Sequence, residues 1–358
     1  MKRREGKISI LSLSIATVVT IMLMTVVLNS KTRVRSKYYT EKMAAALTAQ
    51  SAFSAVKQTV NEMGILIDRI NDPNETGLIG IQYSPITTAR GDLDPKLTST
   101  NPNFAASVVH LLKQIGLRKN DSVAVLLTGS FPALNISVIS AVQALELEPV
   151  IITSVGSSMW GANFPEFTYL DMETMLMDRG IFRSNSAAAS MGGEDGIGRG
   201  LSPAGRELII GAASRNNVPM LNAANLDEMI AKKIDLYTAG GRIKAFVNAG
   251  DITSALVGTE AGNGLIRPHI VKSGPGLVAL FSKSGVPVIN LVDIVQFARE
   301  NDLPVAPIPL PVPGEGRIYN EYKYSVTMAV IAALIIVAIL FVVLRFDIDH
   351  YLKGSKND

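Results

Sequence analysis

The sequence of 358 residues contains no cysteine and only three histidines. The absence of cysteine excludes a disulfide-stabilised fold, an iron–sulfur cluster and a thiol nucleophile. Three histidines are too few for a zinc site built from histidine and cysteine ligands. Charged residues are also scarce, at 18%, whereas 47% of the residues are hydrophobic. This balance is unusual for a soluble protein and indicates a membrane protein.

The sequence lacks a basic folded region as well. Its 34 basic and 31 acidic residues give a net charge of +3, but residues 1–37 and 345–358 contain 11 of the basic and only 4 of the acidic side chains. Residues 38–344 therefore carry 23 basic and 27 acidic residues. Because a nucleic-acid-binding protein needs a positively charged surface on its folded part, we expect no nucleic-acid partner.

Two long apolar runs, residues 8–28 and 325–344, contain no charged residue. At a rise of about 1.5 Å per residue, each would cross the roughly 30 Å hydrocarbon layer as a helix. The first run is too long for a signal peptide, and no small-residue cleavage site follows it, so we expect a retained anchor. Tyr319, Tyr322 and Tyr324 precede the second run, where tyrosine side chains favour the headgroup region.

Two spans place both termini on one side of the membrane. Basic residues in the tails and in the flanks next to the central region nearly balance, with 7 against 6, so the positive-inside rule does not decide the orientation. We expect cytoplasmic termini and an extracytoplasmic central region, because the N-terminal tail is short and basic. The lipid bilayer is accordingly one expected partner.

The central region has the pattern of an α/β fold. The sequence predicts a mostly parallel sheet flanked by helices over residues 71–302, because strand, helix and strand follow one another within about 30 residues. This region is either one continuous sheet or two lobes, 78–182 and 202–302. The predicted strands are 122–127, 150–153, 243–247 and 286–290, and the predicted helices are 102–115, 132–145 and 291–300.

Two further segments connect this region to the spans. Residues 38–66 have apolar residues at spacings of three and four, which predicts an amphipathic helix. This helix would either act as a stalk, pair with a second copy or pack on its own domain. Residues 303–316 contain five prolines, which predict an extended linker.

The strongest candidate site follows the strand 122–127, at Thr128, Gly129 and Ser130. In open α/β sheets, ligands bind beyond the carboxyl ends of the strands, and free N–H groups at a helix start attract anions. Ser130 is therefore a candidate nucleophile or ligand donor. It could equally cap the helix that begins at Pro132, and the sequence around it lacks the G-x-S-x-G motif of a nucleophile elbow.

Polar residues after two other predicted strands are further candidates for ligand binding. Ser157, Ser158 and Asn163 surround the single tryptophan, Trp160, and could instead form a packed loop. A second group consists of Asn248, Gly250 and Asp251, and Asp251 could instead be a helix cap.

The long glycine-rich segment 183–201 supports neither a cofactor nor a metal site strongly. Residues 192–198 lack the Walker lysine, and no strand leads into them, so we expect no nucleotide cofactor. Glu194 and Asp195 are weak candidates for metal ligands, since a solvated turn is the commoner explanation.

None of the three histidines is a convincing catalytic base: His110 lies in a predicted helix, His269 in a loop and His350 beyond the second span. A mechanism based on lysine or threonine remains open.

Several longer segments carry a resemblance to a known family. They are residues 77–88 (GLIGIQYSPITT), 98–106 (TSTNPNFAA), 129–134 (GSFPAL), 161–171 (GANFPEFTYLD) and 192–203 (GGEDGIGRGLSP). Together with both spans, they resemble the poly-gamma-glutamate system protein family. The resemblance implies a membrane component that works with a poly-gamma-glutamate synthetase, which is an ATP-dependent amide ligase, and with a small multi-span membrane subunit. The product would be an anionic capsule or secreted polymer, and no catalytic residues are implied.

From this resemblance we expect a component of a poly-gamma-glutamate synthesis or export system in the bacterial cell envelope. Its strand-end loops would bind the anionic gamma-glutamyl polymer or the synthase. The alternative is a gamma-glutamyl hydrolase or transferase that trims or releases the polymer with a serine or threonine nucleophile. A cytoplasmic nucleotide-binding module would require the opposite orientation. Candidate polymer contacts are Arg90, Lys96, Arg199, Arg206, Arg242 and Arg267.

Overall fold

The computed structural model describes residues 10–193 and 195–345. The helices are α1 Ile10–Asn29, α2 Tyr39–Glu62, α3 Leu93–Ser99, α4 Phe104–Ile115, α5 Pro132–Ala144, α6 Tyr169–Asp178, α7 Pro203–Arg215, α8 Leu226–Thr238, α9 Leu277–Lys283, α10 Ile294–Glu300 and α11 Val326–Arg345. The strands are β1 Lys31–Arg35, β2 Thr87–Ala89, β3 Ser122–Thr128, β4 Glu148–Ser154, β5 Ser157–Ser158, β6 Asn163–Phe164, β7 Phe167–Thr168, β8 Ala188–Ser190, β9 Ala245–Asn248, β10 Gly264–Ile266, β11 Val288–Asn290 and β12 Asn320–Tyr324.

The chain divides into two compact units. The terminal unit comprises the two chain ends, up to Ser36 and from Asn320 onward, and the body comprises Lys37–Tyr319. In the terminal unit, α1 and α11 contact each other, and both are long and apolar enough to cross a membrane. α1 ends one residue after the predicted span 8–28, whose residues 8 and 9 lie outside the described range. α11 begins and ends one residue after the predicted span 325–344.

Three threonine hydroxyl groups interrupt the apolar surface of α1, and each is hydrogen-bonded within the helix. The Thr17, Thr20 and Thr25 hydroxyls donate to the carbonyl oxygens of the residues four positions earlier, at distances of 2.8–2.9 Å. These bonds occupy the hydroxyl protons inside the helix, so the threonines are compatible with a hydrocarbon environment.

A six-stranded sheet in the order β10-β11-β9-β3-β4-β8 forms the centre of the body. All neighbouring strands run parallel except the β10–β11 pair at one edge. Successive side chains of β3 point to opposite faces: Val123, Val125 and Leu127 join one apolar cluster, whereas Ala124 and Leu126 join another. Burial on both faces explains the continuous apolar run of β3. The predicted α/β fold with a mostly parallel sheet is confirmed.

The sheet contains strands from both of the predicted lobes. β3 and β4 come from residues 78–182, and β9 and β11 come from residues 202–302, yet β9 pairs directly with β3. The six strands of the central sheet therefore form one continuous sheet, which is one of the two arrangements that the sequence left open.

Two segments that flank the predicted sheet region, α2 and residues 303–316, pack against the rest of the body. The face of α2 formed by Ala45, Ala49, Ala52 and Val56 is buried in the main apolar cluster of the body, and α2 contacts α4 and α5. Small alanine side chains allow this close helix contact. α2 is therefore a core helix of the body, which is one of the three roles that the sequence left open.

The proline-rich segment 303–316 also lies against the body and is not a free linker. The Asn74 and Asn103 side-chain amides donate to the carbonyls of Pro307 and Val312 at 2.8 and 3.1 Å. The Thr98 hydroxyl accepts a hydrogen bond from the Ala306 N–H at 3.0 Å. Prolines have no N–H group and so cannot pair fully with a neighbouring strand. Side chains of the body instead provide the hydrogen-bond partners that hold this segment.

Candidate functional site

A cavity of about 820 Å³ lies at the carboxyl ends of the central strands. The chain builds the sheet outward from β3 through β4 to β8 and then returns to place β9 on the other side of β3. The order of strands thus reverses between β3 and β9, and such a reversal opens a crevice in which α/β proteins bind ligands. The cavity is lined by Thr128 at the end of β3, by Ser130 just beyond it, and by Gly250 and Asp251 after β9.

Lys96 and two serines form the most distinctive polar cluster in the cavity. The Lys96 ammonium nitrogen, Nζ, lies 2.7 Å from Ser158 Oγ and also contacts the Ser130 carbonyl oxygen. The Ser158 N–H donates to Ser130 Oγ at 2.9 Å. The Phe131 ring covers Lys96, with its centroid 4.0 Å from Nζ. One lysine therefore joins the loops that follow β3 and β4.

The environment of Lys96 favours its neutral form. Its side chain is only 2% exposed, and burial lowers its pKa from 10.5 to about 7, against the opposing effect of the nearby Asp92 carboxylate. At pH 7, roughly half of the Lys96 side chains are then uncharged. A neutral amine has a lone pair that can accept the Ser158 hydroxyl proton. Lysine serves as the base for a serine nucleophile in several unrelated enzymes.

Glycines allow the two loops to approach closely enough for this cluster. The Gly129 carbonyl accepts hydrogen bonds from the Ala162 N–H at 2.7 Å and from Ser157 Oγ at 3.1 Å. A Cβ atom at Gly161 would collide with Ser157 Oγ and lie 2.7 Å from the Gly129 oxygen. Gly129 and Ser157 are therefore used to join the loops, which places Ser158 and Ser130 side by side.

Ser254, in the loop after β9, forms a second lysine–serine pair with Lys233 of α8, and both residues are buried. Lys233 Nζ donates to Ser254 Oγ at 2.8 Å, and the N–H and hydroxyl groups of Ser254 donate to Asp251 Oδ1 at 2.9 and 3.2 Å. Burial lowers the pKa of Lys233, whereas the charge of Asp251 raises it. The pair fixes the Asp251 carboxylate at the cavity wall. Asp251 caps a turn here and not the helix that the sequence suggested.

Some predicted ligand-binding residues are occupied by internal hydrogen bonds. The Asn163 amide bonds to the backbone of Ile81 and to the Thr87 hydroxyl at 2.7–3.0 Å. The Asn248 amide donates to the Asp251 carbonyl and to Asn290 Oδ1, both at 2.8 Å. Both asparagines are fully buried and hold the loops in place.

The glycine-rich segment contributes backbone to the cavity. Gly193 lines it, and its carbonyl accepts a hydrogen bond from the Thr253 hydroxyl at 3.2 Å. Glu194 lies outside the described residues. Burial raises the pKa of Asp195, but hydrogen bonds from the Arg199 and Ile197 N–H groups and from the Arg199 side chain lower it overall. Within the described chain, no group of three or more acidic or histidine residues could hold a metal ion.

The remaining candidates are spread over the surface. Arg90 lines the cavity and Arg199 pairs with Asp195 at 2.9 Å, whereas Arg206 and Arg242 are exposed elsewhere. Arg267 lines a separate hollow beside Arg118 and Lys244, at the residues that precede β3 and β9. His110 contacts Gln114 and His269 contacts the Gly285 region, so neither described histidine reaches the cavity. His350 lies beyond the described residues.

The sequence indicates Lys96 only as a candidate contact for an anionic polymer. The short helix α3 that carries Lys96 was not predicted, although Asp94 and Pro95 in its first turn are typical of a helix start. No local feature of the sequence indicates that Lys96 is buried, because its burial depends on loops about 30 to 60 residues away.

Comparison with family models, with curated proteins and with solved structures found no match to this chain.

Proposed function

We propose that this chain is a membrane-anchored enzyme that cleaves or transfers acyl groups, with Ser158 as the nucleophile and Lys96 as the general base. The observation that carries this proposal is the 2.7 Å contact between Lys96 Nζ and Ser158 Oγ inside the strand-end cavity. Ser158 replaces Ser130 as the candidate nucleophile, because Ser130 Oγ accepts the Ser158 N–H and helps to orient that residue.

The reaction follows from the chemistry of these groups. The Ser158 hydroxyl proton passes to neutral Lys96, and Oγ attacks the carbonyl carbon of an amide. The carbon–nitrogen bond then breaks, and the amine leaves with the proton that Lys96 holds. Water would hydrolyse the resulting ester to the acid, or a second amine would take the acyl group.

The charges around the cavity support a zwitterionic substrate end. The cavity is lined by the Arg90 guanidinium and by three carboxylates, those of Asp92, Asp251 and Asp293. A uniform polyanion would be repelled by these carboxylates, whereas a terminal residue with both an amino and a carboxylate group finds partners of both signs. The amino end of a gamma-glutamyl chain has this character, which supports end trimming of the polymer that the sequence resemblance suggests.

The proposed setting is a poly-gamma-glutamate synthesis or export system, with the synthetase and a small multi-span membrane subunit as partners. The body would be extracytoplasmic and both termini cytoplasmic. The two apolar helices support membrane anchoring, and a reporter fused after Asp358 tests the orientation. An active reporter that requires the external side would contradict it.

The direct test uses full-length protein in detergent with poly-gamma-glutamate of narrow length distribution. We expect shorter polymer and new amino groups with the wild type, no cleavage with Ser158→Ala, and partial activity with Ser130→Ala. Cleavage that survives in Ser158→Ala but is lost in Ser130→Ala would make Ser130 the nucleophile.

Polymer binding without cleavage is the second candidate function, and Arg90 at the cavity favours it. Its result in the same experiment is retention of the polymer by wild type and by Ser158→Ala alike, with no new amino groups. The two functions are therefore separated by one measurement.

A further inference from the structure

The antiparallel pair of β1 and β12 in the terminal unit has two chemically different faces. Lys31 pairs with Tyr324, Arg33 with Tyr322 and Arg35 with Asn320. Directly paired residues and residues two apart share a face of a sheet. Lys31, Arg33, Arg35, Tyr322 and Tyr324 therefore lie on one face, which we call the cationic face.

The opposite face of this pair is nearly neutral. It carries Thr32, Val34, Glu321 and Lys323, and Lys323 forms an ion pair with Glu321 at 3.3 Å. The one acidic residue in these two strands thus lies on the side away from the cationic face. Three basic residues of the cationic face share it with two tyrosines and one asparagine, and with no carboxylate from either strand.

The position of the pair is fixed by the helices that it joins. A single residue, Ser30, separates α1 from β1, and Ser325 alone separates β12 from α11. The Ser325 N–H donates to the Ser30 carbonyl at 3.2 Å, which extends the ladder to the helix ends. If α1 and α11 cross the hydrocarbon layer, the two strands begin directly in the headgroup layer.

The tyrosines match this environment. Tyr322 and Tyr324 are 62% and 47% exposed, and Lys31 Nζ lies 5.1 Å from the Tyr324 ring centroid. Exposed tyrosines are favoured at the membrane interface, where the ring contacts acyl chains and the hydroxyl contacts headgroups. Lysine and arginine side chains nearby donate to phosphate oxygens.

We propose that the cationic face binds the phosphate groups of anionic phospholipids and selects them over zwitterionic ones. The proposal rests on the membrane anchoring in the proposed function, but not on its catalytic part. The closely spaced basic residues would gather several negatively charged headgroups, whereas the choline groups of a zwitterionic bilayer would oppose them.

The test counts bound lipids on full-length, detergent-solubilised protein by native mass spectrometry. Phosphatidylglycerol and phosphatidylcholine are added at equal concentration. We expect at least about a tenfold preference for phosphatidylglycerol with the wild type. The single substitution Arg33→Gln should reduce this preference. The double variant that combines Lys31→Gln and Arg33→Gln should abolish it. Lys323→Gln, which removes one charge from the opposite face of the same strands, is the matched control and should keep the preference.

Three results would overturn the proposal. The first is no lipid preference in the wild type, and the second is an equal loss of preference in Arg33→Gln and Lys323→Gln. A third is displacement of phosphatidylglycerol by poly-gamma-glutamate at equal charge concentration, which would assign the face to the polymer. These substitutions leave the backbone ladder intact, and an unchanged unfolding midpoint confirms folding. Ser158→Ala should retain the lipid preference, so failure of the catalytic proposal is distinguishable from failure of this one.

Discussion

Replacement of Lys96 by methionine tests the central feature of the site, a lysine that is buried with a lowered pKa. In the folded protein this pKa is about 7, compared with an ordinary value of 10.5. That difference corresponds to a cost of about 5 kcal/mol when the folded protein holds the protonated lysine. Methionine has a similar length and no charge, so Lys96→Met removes this cost.

The loss of hydrogen bonds opposes the gain. Lys96 donates to the Ser130 carbonyl and to Ser158 Oγ, and losing both costs about 1–3 kcal/mol. The charge effect is the larger of the two. At pH 6 we therefore expect Lys96→Met to be more stable than the wild type by about 2–4 kcal/mol.

Lys96 makes the unfolding free energy of the wild type increase with pH over a defined range. Between about pH 7 and 10.5 the unfolded state binds a proton at Lys96 that the folded state has lost, so the stability of the wild type rises with pH in this range. Below about pH 7 both states are protonated, and the dependence vanishes. The advantage of Lys96→Met should thus shrink by about 2 kcal/mol between pH 7 and pH 9.

Chemical unfolding of the full-length protein in detergent measures both effects. Trp160 is the single tryptophan and lies in the loop that carries Ser158, so its fluorescence reports unfolding of the body. Lys244→Met, at an exposed position, is the control and should show no such trend. If Lys96→Met has a lower unfolding free energy than the wild type at pH 6, and the difference stays constant up to pH 9, the pKa of Lys96 is not lowered. That result would refute the proposal that Lys96 is the general base.

Three other substitutions test a buried carboxyl group, an aromatic contact in the core and a close contact between two loops of the body. Burial raises the pKa of Glu173 to about 7; the wild type should therefore lose stability relative to Glu173→Gln as pH rises from 4.5 to 7, and an unfolding series that shows no loss would refute this. Phe246→Ala removes a ring stacked 4.6 Å from Phe281 and should lower the unfolding free energy by about 3–5 kcal/mol, which denaturation checks. Gly161→Ala should separate the loops after β3 and β4 and abolish polymer cleavage; full activity would contradict that.

Elements whose patterns are local were predictable from the sequence. β3 and α5 follow the predicted segments 122–127 and 132–145 to within one residue, because an unbroken apolar run and a proline at a helix start are local signals. α4 ends at Ile115, as in the predicted segment 102–115, and Gly116 follows it with a φ of 85°. The pairing of β1 with β12 was not predictable, since Lys31–Arg35 has little apolar character and its partner lies almost 300 residues away.

The residues of the candidate site also fall into two groups, those with a local signal in the sequence and those whose role depends on tertiary contacts. Thr128, Ser130, Ser158, Gly250 and Asp251 were predictable as cavity residues because they follow strands, and the carboxyl ends of parallel strands share one edge of the sheet. The role of Lys96 was not, because it depends on tertiary contacts. A charged residue in a polar helix such as α3 gives no local indication of burial, and Asn163 and Asn248 give none of their internal hydrogen bonds.

The cost of burying Lys96 is itself an argument about function. A methionine or leucine at this position would avoid that cost and keep the contact with the Phe131 ring. Lys233 is buried to a similar extent, but the charge of Asp251 offsets part of the effect on its pKa, and neither Lys233 nor Ser254 lines the cavity. Lys96 instead faces an open cavity and contacts a serine that also lines it. A functional role for the neutral amine would explain a lysine that lowers the stability of the fold. Ser158, whose hydroxyl contacts this amine, is the group that it would deprotonate.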